Sequence, residues 1–325
     1  MLPRILFVYQ APSPFVLQDR DILRRHTEVI EFRWLDHPRP ARALARMMAR
    51  RRRSYDVIVA WFGDTHASTA FRVARWLRKP CILMIGGYDV SDVPGYGFLS
   101  SARNRRRAEG HFARATRVLA VSTALQGELV RRFPDTAVKT TVLPTGVDTD
   151  RFCPAGRKDP LVLSVAPIES WARALVKGWD RVVEVARHLP EVPFYLAGGS
   201  DEVYARLKAP SNVFSRGRVP HEATPALYQR SAVVLHPSRS EGFPNVLLEA
   251  MACGCVPVAT PVGGVPELVG DAGILTSKNP PEIAEAVKRA LASPEIGVRA
   301  RERVRREFSI ARRELGLVNV LSDIA

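Results

Sequence analysis

"AVVLHPSRSEGFPNVLLEAMACGCVPVAT", from Ala232 to Thr260, decides how this chain folds. An apolar run ends at Pro237, a polar loop follows, and a helix-like stretch leads through Cys253-Gly254-Cys255 into a second apolar run. Both runs are continuous rather than alternating, which is the pattern of strands buried on both faces of a parallel sheet flanked by helices. The same rhythm runs from "RILFVY" and "VIEFRW" through "DVIVAWF", "CILMIG", "RVLAVS" and "TTVLP". It resumes in "PLVLSVA", "PFYLAGG" and "NVFSRG" and closes with "GILT". An α/β chain is expected. "LPTGVDTDRFCPAGRKDP" (Leu143 to Pro160) interrupts the rhythm with glycine, proline and charge, and a sheet's worth of strands lies on each side. The domain boundary therefore falls near Cys153, giving domains 1–152 and 153–325. Two domains also suit the 325 residues, since single cores stop growing at roughly 250 to 300 residues. The last helix-like stretch, "FSIARRELGLVNVLSDIA", is expected to extend beyond the second domain and pack back on the first.

Composition narrows the function. Hydrophobic content of 46% with 25% charged residues is that of a globular protein, and no apolar stretch reaches the ~18 to 20 residues of a membrane span. The opening Met-Leu-Pro-Arg-Ile-Leu-Phe-Val-Tyr reads as a first strand rather than a signal peptide, so a cytoplasmic location is expected. Four cysteines without paired spacing disfavour disulfides and structural zinc; Cys253 and Cys255 read as small buried residues. A net charge of +15 asks for an anionic partner: a nucleic acid, a membrane surface or a phosphorylated ligand. The excess concentrates in "ARALARMMARRRR" (Ala41 to Arg53) and "SARNRRRAEGHFARATR" (Ser101 to Arg117). In the first, Leu44, Met47 and Met48 share one helical face and Arg42, Arg46, Arg50 and Arg53 another, either a solvated face or a peripheral contact with the inner face of a membrane. Few aromatics lie among the arginines, which counts against nucleic acid.

The opening stretch also carries chemistry. A helix starting around Pro244 leaves Gly242, Phe243, Pro244, Asn245 and Val246 as a loop leading into it, with unpaired N–H groups and the positive dipole end exposed, a seat for phosphate. Asn245 and Glu249 lie one turn apart on the same face. Glu249 is suited to accept hydrogen bonds from a ribose diol, and Glu241, in the loop ahead, from hydroxyls of a sugar beyond the phosphates. The chain has neither Gly-x-Gly-x-x-Gly after a strand nor Gly-x-x-x-x-Gly-Lys-Ser/Thr, which weakens dehydrogenase and NTPase readings. Open parallel sheets bind ligands beyond the carboxyl ends of their strands, so the loops after "PLVLSVA", "PFYLAGG" and "AVVLHP" are where a site belongs.

The stretch "HPSRSEGFPNVLLEAMACGCVPVATPVGGVPELV" resembles the signature of the retaining glycosyltransferases of family 4, whose paired glutamates match Glu241 and Glu249. "VLPTGVDTDRF", "LVKGWD", "FYLAGG" and "VSTALQGELV" are similar to the family at compatible spacing. The resemblance implies the GT-B architecture: two Rossmann-like parallel-sheet domains facing across a cleft, nucleotide sugar on the second and acceptor on the first. It implies that Lys177 and Arg173 bind the diphosphate, with proline (Pro167) where the family often has arginine. It further implies that the loop of Arg218, Val219 and Pro220 lies against the nucleobase, whereas His221 reads as an exposed loop residue. On the acceptor side it points to "MIGGYDVSDVPGYG" (Met84 to Gly97), where Gly86 stands in place of a family histidine and Gly87 and Asp89 fit the rest. Asp64 or His66 of "WFGDTHA" is the candidate replacement. The implied activity is transfer of a hexose from a nucleoside-diphosphate sugar to a hydroxyl acceptor, a glycan or lipid-linked sugar, with retention and with neither metal nor cofactor. A nucleotide-sugar epimerase of the same fold and a basic nucleic-acid-binding protein are the rivals.

Overall fold

The computed structural model describes residues 2–93 and 96–324; Pro94 and Gly95 of the glycine-led loop lie outside the described residues. The first half alternates β1 (Ile5–Tyr9), α1 (Pro14–Arg24), β2 (Val29–Arg33), α2 (Pro40–Arg50), β3 (Val57–Trp61), α3 (Thr65–Leu77), β4 (Cys81–Ile85), α4 (Ala102–Arg114), β5 (Arg117–Ala120), α5 (Thr123–Arg132) and β6 (Thr140–Val142). The second half holds β7 (Asp159–Ile168), α6 (Trp171–Val176), α7 (Trp179–His188), β8 (Phe194–Gly199), α8 (Asp201–Leu207), β9 (Val213–Ser215), α9 (Thr224–Arg230), β10 (Ser231–His236), α10 (Asn245–Ala252), β11 (Val256–Ala259), α11 (Val265–Val269) and β12 (Ile274–Leu275), then α12 (Pro280–Leu291), α13 (Glu295–Glu307) and α14 (Ile310–Ser322). Each apolar run of the sequence forms a strand, and the strands assemble into two six-stranded sheets with parallel pairing throughout.

The sheet orders are β2-β1-β3-β4-β5-β6 and β12-β11-β10-β7-β8-β9. In the second, β7 lies between β8 and β10, with Val162 beside Val233 and Leu163 beside Val234. The chain leaves β7 toward one edge and returns at β10 toward the other, so the loops after these two strands diverge and open a crevice, the switch point at which open α/β sheets take ligands. The core beneath it joins Val162, Leu196, Val233 and Val258 of the strands to Trp179, Val183, Ile283 and Val287 of the helices. Each such fully buried side chain contributes about 1.5–3 kcal/mol.

The chain divides into two compact units, residues 1–145 with 311–325, and residues 146–310. The division precedes the expected boundary near Cys153, because Val147 already pairs with Ser309 and Phe152 is buried in the second unit. Residues 311–325 count with the first unit for an electrostatic reason. Arg313 of α14 is 2% exposed and meets Asp19 of α1, 1% exposed, at 2.6 Å; Trp61 Nε1 donates to the same carboxylate at 2.8 Å, and Arg313 Nη1 donates to the Leu143 carbonyl at 2.7 Å. In α2, Leu44 and Met48 are buried while Arg42, Arg46 and Arg50 are exposed, as the amphipathic pattern requires. Among the described residues no helix is long and apolar enough to cross a membrane.

Candidate functional site

The loops after β7 and β10 meet through backbone before any side chain is considered. Arg239 N–H donates to the Val176 carbonyl at 2.7 Å, and the Arg239 guanidinium grips Asp180 at 2.6 Å. Between α6 and α7 the chain turns through Gly178, whose φ of +74° suits glycine; a Cβ there would run into the Pro237 carbonyl. That turn aims Lys177 across the loops. Its Nζ donates to both oxygens of Glu241, at 2.8 and 2.9 Å, and His236 Nε2 lies 2.8 Å from the same carboxylate. Behind Glu241, Gly263 at φ +53° allows backbone to approach so closely that any side chain would strike the Glu241 carbonyl. The Glu241 side chain is only 6% exposed. Burial alone would raise its pKa, but the charges and hydrogen bonds of Lys177 and His236 outweigh that and hold it well below the ordinary carboxylate range.

Glu249 sits in a second cluster. One turn into α10 it faces inward, His221 Nε2 lies 2.8 Å from its Oε1, and the buried Tyr228 hydroxyl donates to its Oε2 at 3.1 Å. Burial and the neighbouring Glu249 push the Tyr228 hydroxyl well above its usual range, so it remains a donor. His221 is therefore half-buried and engaged with Glu249 rather than an exposed loop residue. The expected loop is also shorter. The helix begins at Asn245 with Pro244 as its N-cap, so Asn245 and Val246 are its first turn, while Gly242 and Phe243 precede it. Phe243 turns into the core, its ring 5.2 Å from that of Phe308, which leaves backbone as the feature it could present. Arg173 lies within the short helix α6, which the sequence pattern does not separate from α7, and its Nε donates to the Pro167 carbonyl at 2.6 Å. Val219 is half-buried in the loop after β9. The structure thus joins Lys177 to Glu241, and sets Glu249 in a separate hydrogen-bonded group. His236 and Tyr228 are site residues that sequence reasoning misses; His236 was detectable as a polar residue ending an otherwise apolar strand.

In the first unit the acceptor-side candidates turn inward. Asp89 is fully buried and accepts from the N–H groups of Gly63, Gly86 (2.8 Å) and Gly87 (3.2 Å), so it ties two strand-end loops together instead of presenting a carboxylate. Burial lifts its pKa to about 6 against those hydrogen bonds. His66 is likewise enclosed, with Nε2 2.7 Å from the Trp61 carbonyl, and burial lowers its pKa, which removes it from surface chemistry. Asp64 caps α3, accepting from Thr65 N–H and from Thr65 Oγ1 at 2.9 Å. At Gly86, a Cβ would lie 2.7 Å from the Phe62 ring, so Phe62 fills the space above the glycine.

Buried His111 carries a pH consequence. Burial first, then the nearby His66 and Arg114, depress its pKa to about 3. From about pH 6.5, the value in an unfolded chain, down to about 3, the unfolded state binds a proton that the folded state refuses, so this residue makes stability fall as pH falls. Asp89 acts with the opposite sign between about pH 4 and 6. His111→Gln is expected to flatten the stability–pH curve relative to wild type by up to about 1.4 kcal/mol per pH unit in that window. Parallel curves in urea titrations at pH 4.5 to 6.5 would refute the assignment.

Comparison with known proteins follows this geometry. Residues 5–151 match the family model described as Glycosyltransferase Family 4, and residues 160–293 the one described as Glycosyl transferases group 1. The α-maltose-1-phosphate synthase of Mycolicibacterium smegmatis is 30% identical over 77% of this chain and 70% of its own length. A phosphatidylinositol N-acetylglucosaminyltransferase of Arabidopsis thaliana is 28% identical over 63% of this chain; the match spans 49% of that protein. The Anabaena HepE protein, solved in complex with UDP, superposes with a TM-score of 0.78 at 19% identity, covering 98% of this chain and 100% of that one.

Proposed function

We propose, for a chain that belongs to the group 1 glycosyl transferases of family 4, that it moves a hexose from a nucleoside-diphosphate sugar to a hydroxyl of a glycan or lipid-linked acceptor with retention of configuration. The observation that carries this reading is the Lys177–Glu241 pair at the switch point of the second unit's sheet, 2.8 Å long and nearly closed to solvent. As the bond from the anomeric carbon to the diphosphate breaks, negative charge grows on the leaving oxygens, and prearranged positive potential there lowers the barrier most effectively. Lys177, Arg173 and the opening turn of α10 would supply it, so that the chain's own cations serve in place of a metal. Glu241 would hold hydroxyls of the transferred sugar, and Glu249, kept in place by His221 and Tyr228, those of the ribose. The UDP held by the Anabaena neighbour and the sugar-phosphate product named for the mycobacterial relative agree in kind with such a donor. The exposed arginine face of α2 supports a peripheral station on an anionic inner membrane face.

The test is a panel of UDP-, GDP- and ADP-sugars in thermal denaturation. A donor at a hundred times its Kd stabilises by about 2.7 kcal/mol, and one nucleotide class is expected to do so. No stabilisation by any of them would sink the donor assignment, and free sugar released with no acceptor extended would favour the epimerase.

A further inference from the structure

The arginine-rich stretch Ser101–Arg117 forms α4, and the donor reading leaves it unused. Arg107 and Arg114 lie two turns apart on one face of α4, with Arg106 beside them, while Thr65, Ser68 and Arg72 follow each other on one face of α3. These six residues line a cavity of about 280 Å³ in the first unit. Among the described residues none of the four arginines forms an ion pair. Arg72 Nε donates to the Ser68 carbonyl at 3.3 Å, Arg107 Nη1 to Thr65 Oγ1 at 3.4 Å and Arg114 Nη1 to the Gly110 carbonyl at 2.5 Å, all neutral acceptors, and Arg106 makes no hydrogen bond. Elsewhere in the same unit Arg4, Arg20, Arg24, Arg25, Arg132 and Arg313 each meet a carboxylate. Four unneutralised guanidinium groups around one hollow repel one another, and an oxyanion between them removes that cost while using the fork geometry in which arginine binds phosphate through paired N–H groups.

Position adds the second half of the argument. Thr65 is the first residue after the loop that ends β3, so the cavity opens at the carboxyl end of the first unit's sheet, where ligands of such sheets lie. We infer that this cavity receives a phosphate or diphosphate group of the acceptor. The word acceptor rests on the transferase reading; the anion site rests on the arginines alone. The two sources of such a group are a soluble phosphorylated sugar and a lipid-borne phosphate.

Inorganic pyrophosphate at constant ionic strength is the probe, titrated in thermal denaturation against the full chain. Three proteins are compared: wild type, Arg106→Ala/Arg107→Ala, and Lys177→Met/Glu241→Gln, which disables the donor side. The account expects pyrophosphate to stabilise the Lys177→Met/Glu241→Gln protein. It expects at least a tenfold rise in apparent Kd in the Arg106→Ala/Arg107→Ala protein, whose response to the stabilising nucleotide sugar stays that of wild type. An unchanged pyrophosphate response in the arginine variant overturns the inference. So does loss of sedimentation with phosphatidylglycerol vesicles, measured against phosphatidylcholine, when the pyrophosphate response is intact, since the arginines would then be a membrane contact only. Loss of both responses assigns a lipid-borne phosphate, and loss of pyrophosphate alone a soluble one. A wild type that answers pyrophosphate and no nucleotide sugar would break the donor reading while leaving the anion site standing.

Discussion

Lys177→Ala is expected to lower kcat/KM by at least about a hundredfold, the scale on which removal of one preorganised charge-stabilising donor is felt. The same change should cost stability, because Glu241 is 6% exposed and would keep only His236 as a partner. Breaking a buried pair from one side destabilises by about 3–5 kcal/mol, since the remaining charge is left uncompensated. The two effects separate in Lys177→Met/Glu241→Gln, which removes both charges at once. That protein should regain most of the lost stability and none of the activity. Single-variant turnover within a few-fold of wild type, with the protein folded by calorimetry, would remove Lys177 from the chemistry.

The second large effect lies far from the phosphate site. Arg313→Ala leaves Asp19 buried with Trp61 Nε1 as its remaining partner and strips the Leu143 carbonyl of its donor. A loss of about 3–5 kcal/mol is expected. In a unit of this size that corresponds to a fall in Tm of roughly 10 °C. Asp19→Asn/Arg313→Met should recover most of it, because asparagine still accepts from Trp61 and no charge remains. A Tm unchanged in Arg313→Ala would show that α14 is held by its apolar face alone, through residues such as Leu317 and Leu321.

The strands were legible because burial on both faces writes itself as an uninterrupted apolar run, and every run quoted from the sequence became a strand. Their order was not: nothing local to "PLVLSVA" states that it will lie against "AVVLHP" rather than only its successor, a pairing 70 residues apart in the register Val162–Val233 and 71 apart in Leu163–Val234. The site was half legible for the same reason. Glu241, Glu249 and Lys177 stand out as charged residues beside glycine or inside apolar stretches. Their partners do not, because His221 and Tyr228 reach Glu249 from 28 and 21 residues away. Asp89 and His66 misled in the opposite direction: a polar residue after a strand looks the same in sequence whether it faces solvent or folds back onto backbone, and both fold back. Arg313 sits in a helix whose pattern reads as ordinary surface, and only the acid of α1 explains its burial.

The central claim is that Lys177 and the first turn of α10 hold the diphosphate of a sugar nucleotide. Calorimetric titration of the stabilising nucleoside diphosphate and its monophosphate into wild type and Lys177→Met/Glu241→Gln addresses it directly. The account predicts that the variant binds the diphosphate at least tenfold more weakly, about 1.4 kcal/mol, and the monophosphate as wild type does. Equal diphosphate affinity in the two proteins would contradict it.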